Sequence, residues 1–144
     1  MYKNIHAAVV GSINMDLILN MKKVPEIGEN VLGTSYGYAN GGKGANQASA
    51  LAQLGAKVKM IGKVANDTNG NKLLENLKIK DIDTSGVATD GSQTGLAAII
   101  LDGDGRNRII VYEGANAEIN PQQAVKEIGS ETDLLLVQFE TAED

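Results

Sequence analysis

Residues 41–44 read Gly-Gly-Lys-Gly and run straight into an alanine-rich helical pattern, with Asn46 one turn in. Gly41, Gly42 and Gly44 carry no β-carbon, so a ligand can lie against the backbone there. The unpaired amides of a helix N-terminus point outward, and Lys43 adds a movable cation. Asn46 supplies both a donor and an acceptor. The set suits an oxygen-rich ligand such as a polyol. The same glycines would equally serve a helix that packs closely on a strand, and these residues alone leave both uses open.

Two better-defined glycine motifs are excluded. A phosphate-binding P-loop ends in Gly-Lys-Ser/Thr, but Lys43 is followed by Gly44, which has no hydroxyl for a magnesium ion. A dinucleotide fingerprint needs Gly-x-Gly-x-x-Gly directly after the first strand, where this chain has "GSINMD". That segment carries its own chemistry. Asn14 and Asp16 are two apart, so in extended backbone they share a side, and a carboxylate can accept from two neighbouring hydroxyls. Glu140 follows an apolar run, at the kind of strand end where ligands of open α/β sheets bind. Each acid alone reads as a turn or cap residue; with the glycine-lysine loop they outline a sugar site.

The elements that must hold these residues follow from periodicity. Residues 5–13, "IHAAVVGSI", read as a buried strand entering a turn, and 16–21 and 31–38 as further strands around turn residues Pro25 and Gly28. A helix is expected from Gly44 to Leu54 with Gly55 ending it, then a strand over 57–64. A second helix over 67–79 has Asp67, Thr68 and Asn69 as cap candidates and Leu73, Leu74 and Leu77 on one face. Acidic loops are expected after it. Residues 94–112 read as a hairpin about Asp-Gly-Asp-Gly, apolar on both faces, which suits a lid, a contact between copies or a plain core hairpin. Pro121 to Ile128 reads as a helix, and 133–139 as a fully buried strand. A strand of that kind normally feeds a returning helix, so the sequence looks like the front of a larger domain.

Composition sets the class. The chain has 144 residues, 42% of them hydrophobic and 22% charged, and no cysteine. These are globular values, and no apolar run approaches the ~20 residues of a membrane helix. Neither a membrane partner nor a secretory leader is expected, and a cytoplasmic location is. The net charge of −5 argues against nucleic acid as the main partner. Charge is uneven: residues 1–80 carry ten basic and five acidic residues, residues 81–144 three and thirteen. The glycine-lysine loop thus lies in the cationic part.

"GSINMD", "GGKGANQASALAQLGA", the "TG...DGDGRNRI" hairpin, "EGANAEI" and "LLLVQFE", in that order and over essentially the whole chain, resemble the N-terminal half of the ribokinase or phosphofructokinase-B family of sugar and nucleoside kinases. The resemblance implies an α/β fold with three layers, a mainly parallel sheet flanked by helices, a small β-sheet lid, and an incomplete C-terminal half. It implies ATP-dependent phosphorylation of the 5-hydroxyl of D-ribose, with Mg2+ and a monovalent cation such as K+. Carried over by position, Asn14, Asp16, Gly41, Gly42, Lys43, Gly44 and Asn46 would line the sugar site and Glu140 would close it. The strands near 16–21 and 31–38 with the 94–112 hairpin would form the lid, and Ala98, Ile99 and Ile110 would serve the lid and a homodimer. The family's Gly-Ala-Gly-Asp segment, which carries the catalytic base, does not occur in this chain. The base and most of the nucleotide and cation sites are therefore expected in the other half, and the chain alone is expected to be inactive. A related fructose or nucleoside kinase, or a non-catalytic sugar-binding or dimerisation fragment, are the alternatives.

Overall fold

Short apolar runs and two helical repeats assemble, in a computed structural model that describes residues 5–141, into two four-stranded sheets. The first contains β1 (His6–Val10), β4 (Lys57–Ala65), β5 (Asp83–Gly91) and β8 (Leu134–Val137), in the order β5-β4-β1-β8 and parallel throughout. The second contains β2 (Asn14–Met21), β3 (Gly33–Gly41), β6 (Gly95–Leu101) and β7 (Asn107–Tyr112), in the order β3-β2-β6-β7. Here β2 runs antiparallel to β3 and parallel to β6, and β7 closes the hairpin on β6.

Alternation along the first sheet shows why it needs cover on both sides. In β1, Ala7 and Val9 join one buried cluster while Ala8 joins another; in β4, Val58, Met60 and Val64 belong to the first and Ile61 to the second. The first cluster receives Ala45 and Ala48 of α1 (Lys43–Gln53) and Leu73 and Leu77 of α2 (Thr68–Ile79). The second receives Ile119 and, from α3 (Pro121–Glu127), Ala124. Successive strand residues face opposite ways, so burial of both sets means helices above and below: the expected three-layer α/β arrangement.

Local chemistry sets the helix ends. Asp67 caps α2, accepting the Gly70 N–H at 2.7 Å, and Asn120 caps α3, where Pro121 opens the first turn. Gly55, at φ +88°, ends the α1 turn in a conformation that few other residues adopt.

Two expectations are corrected. The stretch after α2 is not only loop, for β5 lies within it. Its Ser, Thr, Gly and Asp residues look like turn chemistry, and only Val87 of it is buried. Pairing with β4, through two register shifts, makes it a strand. The 133–139 run is not fully buried. β8 covers four residues, pairs with β1, and leaves Leu134, Leu135 and Val137 between 40% and 47% exposed at the sheet's edge. In the mixed sheet, Ile99 and Ile110 stand on opposite faces. Register sets Ile99 beside Ile18 and Ile109, whereas Ala98 and Ile110 stand beside Leu17 on the opposite face, where Tyr38 also lies.

Candidate functional site

The site begins where β1 ends. Ser12, 2% exposed, receives the Lys43 N–H on its Oγ at 3.0 Å and donates that hydroxyl to Glu140 Oε2 at 2.9 Å. Its carbonyl accepts the Ala45 N–H at 3.1 Å. Glu140 completes the loop by pairing its Oε1 with Lys43 Nζ at 2.7 Å. Thus Ser12 stands in for a helix cap, and two amides at the start of α1 are already occupied. The expectation that these amides point freely at a ligand is corrected; what the loop offers outward is the Lys43 ammonium and the Glu140 carboxylate. Burial works against the charge on Glu140, but the hydrogen bonds from Lys43 and Ser12 outweigh it and hold the carboxyl below its ordinary range. The Lys43 side chain is largely exposed, so this ion pair orients groups more than it stabilises the fold.

The glycines have steric reasons. Gly42 sits at φ +93°, and a β-carbon there would come within 2.8 Å of Asn14 N and Ile13 Cα. At Gly44 it would lie 2.8 Å from Gly11 Cα and Met60 Cε, so close packing of α1 on the sheet, one of the two readings of this loop, does operate. At Gly41 it would run into the Asp16 carboxylate.

Asn14 and Asp16 lie on one face of β2, as their spacing requires. Asn14 is level with Gly41 and Gly95, and Asp16 with Ala39 and Ala97, so the two polar side chains stand among small neighbours. Among the described residues the Asp16 carboxylate has no hydrogen-bond or ion-pair partner, and its partial burial raises its pKa above the usual value. A half-buried acid without a protein partner is free to accept from a donor, whether water or a ligand. Val111, level with Ala97 on β7, also lines an open cleft of about 660 Å³ together with Tyr112, Glu113 and Glu140. Asn46 is exposed and borders a separate small recess with Asn40, Ser49 and Lys80. No hydrogen bond joins it to Asp16 among the described residues.

Sequence reasoning missed Ser12 and Asn116. Asn116, 1% exposed, accepts the Ile13 N–H on Oδ1 at 2.9 Å and donates from Nδ2 to Asn14 Oδ1 at 2.7 Å. Both residues sit inside the quoted segments "GSINMD" and "EGANAEI", but their partners are up to 128 residues away, a distance no local pattern reports. Among the described residues no three of His, Asp and Glu gather to hold a metal ion. Among the described residues no helix is long and apolar enough to cross a membrane.

Comparison with known proteins agrees in sequence and in shape. The profile of the pfkB family carbohydrate kinases matches residues 4–138. The ribokinase of Bacillus subtilis strain 168 is 43% identical over 144 residues, covering 94% of this chain and 47% of its own length. A ribokinase structure from Giardia lamblia superposes with a TM-score of 0.86 at 29% identity, over 96% of this chain and 46% of that one. The Arabidopsis thaliana ribokinase solved with ribose and ATP superposes at 0.79 and 27% identity, over 97% and 46%. The chain thus spans about half the length of the curated relatives it matches.

Proposed function

The chain belongs to the pfkB family of carbohydrate kinases, and from that footing we propose that it is the sugar-binding half of a ribokinase acting in the cytoplasm, which phosphorylates D-ribose to D-ribose 5-phosphate. The observation that carries this reading is the Asp16 carboxylate, half-buried against Gly41 between Ala39 and Ala97 and without a partner among the described residues, in a chain 43% identical to a ribokinase. Asp16 accepts from ribose hydroxyls. Asn14 flanks it, Gly41 and Gly42 let the sugar approach the backbone, Gly44 lets α1 lie close on the sheet, and Lys43 and Asn46 reach from the α1 side. Glu140, already tied to Ser12 and Lys43, closes the far wall. The β3-β2-β6-β7 sheet serves as the lid. Its face bearing Ala98 and Ile110 is the one suited to a second copy, since Ile99 looks toward the Asp16 side.

ATP, with Mg2+ and a monovalent cation such as K+, supplies the phosphoryl group and neutralises its charge in such an enzyme. The chain has no Gly-Ala-Gly-Asp segment and, among the described residues, no cluster of acids to hold a metal ion, so we assign to it the binding, orienting and covering of the sugar. Positioning without the base and nucleotide site lacks most of what phosphoryl transfer requires. Incubated with ATP and ribose, the purified chain is expected to form no ribose 5-phosphate, and detectable product would refute this division of labour.

Calorimetric titration of D-ribose into the chain tests the site itself. Asp16→Ala removes charge-assisted hydrogen bonds worth roughly 1.5–3 kcal/mol each. Affinity should fall at least about tenfold, with an unchanged circular dichroism spectrum. An unaltered affinity would remove Asp16 from the site.

A further inference from the structure

Asn116 is 1% exposed, yet its hydrogen bond to Asn14 bears on which of the Asn14 amide atoms faces outward. Its side-chain orientation is set by backbone groups whose polarity is not in question. The Ile13 N–H can only donate, and it meets Oδ1 at 2.9 Å; the Glu113 carbonyl can only accept, and it meets Nδ2 at 2.9 Å. Turning the amide over would set donor against donor and acceptor against acceptor in a buried setting. The atom of Asn14 that faces Asn116 Nδ2 at 2.7 Å must therefore be its oxygen. Asn14 is thereby committed with its acceptor inward and its Nδ2 outward. Among the described residues this Nδ2 has no partner and is not among the buried polar atoms left unpaired, so it reaches solvent on the face shared with Asp16. Gly95 makes the arrangement possible, since a β-carbon there would collide with both Asn116 Nδ2 and Asn14 Oδ1.

We propose that Asn116 is a positioning residue that locks Asn14 as a hydrogen-bond donor beside the acceptor Asp16, so that the pair reads a hydroxyl which accepts from one and donates to the other. The sugar-facing part rests on the ribose reading above. A ligand position bearing hydrogen would lose both contacts. One bearing fluorine would keep only an acceptor for Asn14 and face the Asp16 carboxylate with nothing to give.

The experiment has a sugar-free arm and a binding arm. In 15N-labelled chain without ligand, the side-chain amide hydrogens of Asn116 should exchange with solvent more slowly than those of Asn14; the reverse order would overturn the proposal, whatever the chain binds. For binding, Asn14→Ala, Asn116→Asp and the double variant are titrated with D-ribose. Asn116→Asp keeps an acceptor for Ile13 but removes the donor to Asn14, so Asn14 turns its oxygen toward Asp16. Each single change should weaken ribose about tenfold, and the double variant should be no worse than Asn14→Ala alone. Independent losses that multiply to about a hundredfold would overturn the proposal. Gly95→Ala presses on the same pair without burying a charge and should give the same non-additive result if Asn116→Asp folds poorly. A wild-type chain with the expected exchange order that binds no ribose would refute the ribose reading and leave the amide order standing.

Discussion

The two four-stranded sheets are held in different ways. In the parallel sheet, β1 and β4 are covered on both faces, with Val9, Met60 and Val64 wholly withdrawn from water. In the mixed sheet, every residue of β7 is exposed, and Ile109, Ile110, Val111 and Tyr112 are at least half so. One sheet is stabilised by burial, the other chiefly by its ladder, its turns and its attachment to the first. The polar residues assigned to the sugar lie at the seam, on β2, in the first turn of α1 and just past β8, where the covered sheet positions them and the exposed one can cover them.

The sharpest way to break this comparison is to ask whether the exposed sheet stays exposed. If its Ala98–Ile110 face meets a second copy, Ile110→Asp sets an unpaired carboxylate into a symmetric interface twice, and sedimentation should show monomer. Ile99→Asp, on the other face, should leave association intact. Loss of association by Ile99→Asp alone would reverse the assignment of faces. Next in size is the core itself. Leu73→Ala should cost about 2–5 kcal/mol in denaturant unfolding, while Ile110→Ala, 65% exposed, should stay within about 0.5 kcal/mol in the monomer. Equal losses would mean that the mixed sheet has a core of its own.

The smallest effects concern two aspartates at the seam, and they have opposite signs. Asp67 ties the sheets together: its carboxylate takes the Gly70 and Thr94 N–H groups and the Thr94 hydroxyl, which in turn accepts the Ala65 N–H. Burial opposes its charge, but these donors outweigh burial and lower its pKa. The stability it adds is therefore present above the unfolded value near 3.8 and is lost as pH falls through the lower folded value. Asp67→Ala should cost about 1 kcal/mol at neutral pH, as a lost helix cap does, and less in acid. Asp16, with its pKa raised by burial, subtracts stability above its folded value and nothing below 3.8. Asp16→Asn should thus leave the fold slightly more stable at neutral pH. Thermal unfolding at several pH values measures both, and a pH-independent Asp67→Ala difference would remove the clamp.

What could be read from the chain without coordinates was whatever depends on near neighbours. The α2 cap is a matter of Asp67 and Gly70, three residues apart, and Gly42 announces a backbone that other residues resist. β5 was hidden because Asp-Thr-Ser-Gly is loop composition until β4 supplies the ladder. The exposure of β8 within 133–139 is not legible because an apolar run does not say what covers it. The split between Ile99 and Ile110 needed a register, and Ser12 and Asn116 needed partners that only the folded chain brings near.

The edge formed by β8 has a consequence in time. Its backbone pairs with β1 on one side, and beside it Val10, Val125, Ile128, Leu135, Val137 and Phe139 line an apolar groove of about 640 Å³. Ribosomes add ~5–20 residues each second, so in relatives of about twice this length the remaining half is completed on the order of ten seconds later. Throughout that interval a nascent chain folded to this point displays a sticky strand edge and a greasy trough to its surroundings. The exposure is greatest on crowded polysomes, where identical edges emerge side by side, and binding by a ribosome-associated chaperone at this trough would protect such a chain until its own sequence arrives.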